Sequence, residues 1–212
     1  MNQLLQKINH LRNSEIKEIV DNRLKEFESF KTKPNENWFS ELCFCILTAN
    51  SRAKTGIAIQ NQLKPHGFIN NNESKIRDVI KENKHRFHNT KAKFIVLARE
   101  HTDIKEKIQK RISEEGEKEA REFLVKNIKG IGMKEASHFL RNVGYTNLAI
   151  LDRHILNLMA ENGYIKEKPK SLNKKSYLEI EEKFNRIANE TEMSLAELDL
   201  YMWYMKTGEV LK

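Results

Sequence analysis

The stretch Asn127-Ile128-Lys129-Gly130-Ile131-Gly132-Met133-Lys134 constrains the fold of this chain more than any other. It separates two amphipathic segments. Before it, Glu117 to Asn127 carries Ala120, Phe123 and Leu124 at helical spacing, continued by Ile128. After it, Ala136, Phe139, Leu140 and Val143 share one face until Gly144 stops the run. The pattern reads as helix, glycine-containing hairpin, helix. Gly130 and Gly132 are expected to take backbone angles that a Cβ would forbid. The amides at the start of the second helix then point outward together, and such a cluster, backed by the helix dipole, binds phosphate. Lys129, Gly130 and Gly132 are therefore candidates for gripping a nucleic-acid backbone.

The remainder accommodates that hairpin. Three prolines and eight glycines among 212 residues leave few breaks, and no stretch shows strand alternation. An all-α fold is expected. Asn37 to Asn50 is apolar nearly all round, which predicts a helix buried on several sides. Thr55 to Leu63 predicts another, ended by Pro65-His66-Gly67. Ser194 and Glu197 are spaced as a capping box at the start of the last helix.

Lys and Arg number 38 against 30 Asp and Glu, a net charge of +8 that suits a polyanionic partner. No apolar run is long enough to span a bilayer, and Met1 leads into a polar amphipathic segment rather than a signal peptide. A cytoplasmic monomer is expected. Cys43 and Cys45 lie two apart in the apolar segment and read as small core residues. The seven histidines show no metal-ligand pattern, so no metal is expected.

Two further stretches carry possible chemistry. Thr48-Ala49-Asn50-Ser51-Arg52-Ala53 reads as a helix junction. Lys81 to Lys93 is a basic run, ordinarily a solvated face, except that Phe87 sits within it beside Arg86. An aromatic ring and a guanidinium can flank a gap in a base stack, but Phe87 is equally readable as core.

Gly-Ile-Gly-Met-Lys134, followed at a fixed distance by Leu151-Asp152-Arg153-His154-Ile155, resembles the helix-hairpin-helix/Gly-Pro-Asp superfamily of DNA glycosylases. Over essentially the whole chain the details look most like its compact class of 8-oxoguanine DNA glycosylase/AP lyases. The resemblance rests also on Phe44 to Asn50, on Arg86-Phe87, on Lys129 to Arg141 and on the ending Asp199 to Lys212. It implies two helical lobes, residues 37–144 and residues 1–36 with 145–212, and an active site in the cleft between them. It implies Lys134 and Asp152 as the catalytic pair, and Trp203 and the terminal Lys212, carboxylate included, as base recognition. Asn50 and Arg52 would enter the DNA where the target base has left, and Arg86 and Phe87 would distort it. The partner implied is double-stranded DNA containing oxidised guanine. Some members carry an iron–sulfur cluster; two cysteines cannot supply its four ligands, so no cofactor is expected. A thymine-glycol-type glycosylase/lyase would share Lys134 and Asp152. A non-catalytic helix-hairpin-helix module would share only the phosphate grip.

Overall fold

The computed structural model describes residues 3–212; Met1 and Asn2, at the head of the expected second lobe, lie outside them. The described residues form twelve α-helices and two short 3-10 turns, with no strand among them. In order these are α1 (Gln3–Arg12), α2 (Ile16–Ser29), α3 (Asn35–Thr48), α4 (Ala53–Asn70), α5 (Glu73–Glu82), α6 (His88–Ala98), α7 (Ile104–Glu115), α8 (Glu117–Asn127), α9 (Met133–Asn142), α10 (Arg153–Glu161), α11 (Lys174–Thr191) and α12 (Leu195–Thr207).

Helix α3 is the centre of the first apolar cluster. Every residue from Trp38 to Thr48 is buried, and the helix packs against α4, α6, α7 and α9. A helix apolar on all sides has no face to give to water, so it takes neighbours all round. Cys43 and Cys45 are buried within it as unbridged thiols. Burial in this apolar surrounding pushes both thiols well above their ordinary range. The cluster runs from Trp38 to Leu148. A second cluster collects Leu4 to Phe27 with Ala149 to Met202, and so joins α1 and α2 to α10, α11 and α12.

Charged pairs link the elements of one cluster to those of the other. Arg121 of α8 donates to both oxygens of Glu181 of α11, at 2.6 and 2.9 Å, and all but 1% of the Arg121 side chain is buried. Arg141 of α9 pairs with Asp199 of α12. The Lys212 ammonium lies 2.6 Å from Glu41 of α3. Buried pairs of this kind contribute little net energy while intact, but losing one partner strands the other charge.

The expected stop at Pro65 is not where α4 ends. Lys64 leaves the helical region with φ 55° and ψ 171°, and the helix resumes at once and runs to Asn70. Proline needs no amide partner in a first helical turn and already has helical φ, so Pro65 opens the second half of a kinked helix.

Candidate active site

The hairpin between α8 and α9 has the expected helices, but its two glycines differ in role. Gly130 has φ +88°, and a Cβ there would overlap the Phe94 ring of α6. Gly132, with φ −103° and ψ −173°, is extended backbone open to any residue. The expectation that it takes a glycine-only angle is thus corrected. Its amide donates to Glu135 Oε2 at 3.3 Å, a contact that satisfies one of the free N–H groups at the start of α9. Lys129 beside them is exposed.

Lys134 lies in the first turn of α9 and is partly exposed, with its Nζ 2.9 Å from Glu135 Oε1. Asp152 is the N-cap of α10. Its Oδ1 accepts from His154 N at 2.8 Å and Ile155 N at 2.9 Å. Its Oδ2 accepts from the Trp203 indole at 3.1 Å. One oxygen of Asp152 thus caps the helix and the other faces Trp203. The Trp203 ring in turn meets His154 edge to face at 5.7 Å.

Lys134, Asp152, Trp203 and Lys212 line one pocket, together with Thr48, Ser51, His138, Arg141 and Asp199. Lys212 is anchored: its ammonium donates to Glu41 Oε1 at 2.6 Å and Gln60 Oε1 at 2.5 Å and lies 4.6 Å over the Phe44 ring. Since that ammonium is engaged, the part of Lys212 left to meet a ligand is its main chain. Gln60 itself is fixed by Ser40 and Glu41, and Asn142 donates to the second oxygen of Glu41 at 3.1 Å.

Two titratable groups behind this pocket depart from ordinary values. Burial pushes the Asp199 carboxyl up to about 7, against the pull of Arg141 and with Asp152 adding to the rise. Its Oδ2 is held by Arg141, while Oδ1 is buried without a partner. His138 is driven well below its usual value by burial, then by Arg141, Lys134 and Lys212. Its imidazole is therefore neutral at pH 7, and it hydrogen-bonds the main chain of Lys212.

Glu41, Gln60, His138, Arg141 and Asp199 were given no role from sequence, although the last three lie in stretches that carry the resemblance. A signal existed: Glu41 interrupts Trp38 to Leu47, and Asp199 interrupts Leu198 to Trp203, each a charge inside an apolar run. The other expected residues lie outside the pocket lining. Asn50 and Arg52 are exposed in the turn between α3 and α4, next to the lining residues Ser51 and Ala53, and Asn50 has φ 62°. Arg86 lies with its guanidinium 4.4 Å from the centre of the Phe87 ring, which is half-buried.

Residues 20–193 match the family described as 8-oxoguanine DNA glycosylase. The chain belongs to this family. A relative from Methanocaldococcus jannaschii, an 8-oxoguanine DNA glycosylase/AP lyase, is 54% identical over 99% of both chains. A protein of the same name from Korarchaeum cryptofilum is 43% identical over 99% of this chain and 98% of its own. The crystal structure of the Methanocaldococcus jannaschii protein with a 15mer DNA containing 8-oxoguanine matches with a TM-score of 0.95, at 54% identity and 99% of each chain. That of the Thermotoga maritima 8-oxoguanine DNA glycosylase matches with a TM-score of 0.92 at 40% identity, over 99% of each chain. Among the described residues no group of three or more His, Cys, Asp or Glu stands where it could hold a metal ion, and no helix is long and apolar enough to cross a membrane.

Proposed function

We propose that Lys134 and Asp152 are the catalytic pair of an enzyme that excises 8-oxoguanine from duplex DNA and then nicks the strand. The chain is a DNA N-glycosylase with AP lyase activity, and its partner is DNA carrying oxidised guanine. One observation carries the assignment of residues: the lysine and the aspartate share a pocket with Trp203 and Lys212, in a chain that matches 8-oxoguanine DNA glycosylase/AP lyases from end to end. A thymine-glycol reading has no such support, and a mere DNA-binding module has no use for the pocket.

A base inside a duplex shields its glycosidic bond, so the nucleotide is first turned out. The hairpin turn and Lys129 hold the backbone, while Asn50, Arg52, Arg86 and Phe87 occupy and flank the vacated place. The neutral amine of Lys134 attacks C1′. A bond from Nζ to C1′ forms, the bond from C1′ to N9 breaks, and the base leaves with a proton. The sugar ring opens to a Schiff base. Loss of a C2′ proton then breaks the bond from C3′ to the phosphate oxygen. Asp152, its direction fixed by two amides and the Trp203 indole, stabilises the positive charge that develops on the sugar and relays protons. None of these steps calls for a metal or an iron–sulfur cluster.

Oxidised guanine bears a hydrogen on N7, where guanine has a lone pair. An acceptor on the main chain of Lys212 would favour the first and repel the second, and hydrogen-bonding pockets discriminate far better than shape alone. Trp203 would flank the base. We place the two lobes at residues 37–144 and at residues 1–36 with 145–212; the two apolar clusters support this division. The enzyme would work inside the cell, with the chromosome.

The test is borohydride trapping on duplexes carrying 8-oxoguanine opposite cytosine, thymine glycol opposite adenine, or plain guanine. A covalent complex on 8-oxoguanine alone, absent with Lys134→Gln and weakened when a residue is added beyond Lys212, is expected. Trapping on thymine glycol instead would overturn the substrate, and binding without any trapping would overturn the catalytic reading.

A further inference from the structure

His85 is 2% exposed and touches two stretches that are remote in sequence. Its Nε2 is 2.9 Å from Leu47 O, and the amide of Phe87 lies 3.1 Å from its Nδ1. An amide N–H can only donate, so Nδ1 is the acceptor. In the neutral ring the proton then sits on Nε2 and is donated to Leu47. Burial, with Lys91 and His88 nearby, lowers the basicity of His85, which keeps the ring in this neutral form.

Leu47 O is one of the last carbonyls of α3, which have no partner within the helix. Its neighbour Ile46 O is taken by the buried Lys91 ammonium at 2.6 Å. The end of α3 is thus finished by two side chains that flank the Arg86-Phe87 pair in sequence. Three residues beyond Leu47 the chain turns through Asn50, a non-glycine residue with φ 62°, into Ser51 and Arg52. A single imidazole therefore bonds the carbonyl that leads into one exposed turn and the amide that supports the other.

We propose that His85 is a positioning residue that locks the Asn50–Arg52 turn and the Arg86-Phe87 pair into one preformed unit for deforming DNA. The proposal rests on the reading above that both stretches meet the duplex. A preformed unit spends less binding energy on ordering itself, and it makes the two stretches act together.

The test is a double-mutant cycle on binding to a duplex with a tetrahydrofuran abasic-site analogue opposite cytosine. Arg52→Ala and Phe87→Leu are made singly and together, in the wild-type chain and in His85→Leu. In the wild-type background the combined loss should differ from the product of the single losses by about fivefold, a coupling of about 1 kcal/mol. In the His85→Leu background the two losses should simply multiply. Coupling that persists unchanged there, or is absent from the wild type, overturns the brace. Single changes that leave binding unaltered instead overturn the reading that these stretches meet DNA, and the brace with it. Should His85→Leu fail to fold, His85→Asn replaces it. Asparagine can still accept from Phe87 N–H but is too short for Leu47 O, so it should also abolish the coupling.

Discussion

One oxygen of Asp152 caps α10, and the catalytic role proposed for its carboxylate can be separated from that cap by a single atom. Asparagine caps helices about as well as aspartate, and its oxygen can still accept from His154 N and Ile155 N. The amide NH2 that replaces Oδ2 cannot accept from the Trp203 indole, so Asp152→Asn should lose about 1 kcal/mol and melt within about 4 °C of wild type. Its excision rate should fall by at least about 100-fold, as expected when a positioned charge or proton relay is removed. Thermal melting and single-turnover excision on one preparation decide this; a rate loss matched by a large drop in melting temperature would point to the cap alone. The motif spacing that carries the family resemblance implied Asp152 and Lys134 as a pair, and the fold brings both to one pocket. Spacing could not reveal that Trp203 binds Asp152 through its indole, since that contact closes only when α12 folds back across the site.

At the scale of elements, the hairpin helices were legible because their apolar faces keep helical period on both sides of the glycines. The Pro65 kink was not, for proline is as much at home in a first turn as after a last one. Nor was the difference between Gly130 and Gly132 legible from Gly-x-Gly alone, because the decisive neighbour, Phe94, comes from another helix. That difference is measurable. Gly130→Ala must accept a left-handed φ and displace the Phe94 ring, and should lose about 1–3 kcal/mol in urea unfolding, with weaker binding to undamaged duplex. Gly132→Ala keeps an allowed φ and meets only the end of the Glu135 side chain, at 3.2 Å. It should stay within about 0.5 kcal/mol of wild type. Equal losses at the two positions would contradict this account of the hairpin.

For the whole molecule, the pairs between the apolar clusters matter most when broken. Glu181→Ala strands the buried Arg121 charge and leaves Ala149 N–H without its acceptor. It should cost about 3–5 kcal/mol, read as a lowered urea midpoint; a change below about 1 kcal/mol would mean the interior there is wet. Stability should also follow pH in a defined way. Burial lowers the basicity of His85, His101 and His138 in the folded state. The unfolded chain therefore takes up their protons first, below the ordinary value of 6.5. Stability from these rings is complete above that value and drains away as pH falls. Asp199 runs the other way. Its carboxyl, raised from 3.8 to about 7, favours the folded state below 3.8, and that contribution fades as pH rises through 7. Urea midpoints from pH 5 to pH 8 should peak between these limits, and His138→Phe should flatten the acid side. None of this was readable in advance, because a histidine in sequence does not announce its burial.

The two thiols of α3 bear on how such an enzyme survives its surroundings. Peroxide attacks thiolate, and the reaction needs both a lowered pKa and access. Cys43 and Cys45 have neither, being fully buried with their thiols held protonated. Iodoacetamide should label neither in the native protein and both in urea, and millimolar peroxide should leave excision undiminished. A lesion made by oxidants is thus handled by a protein whose sulfhydryls those same oxidants do not reach.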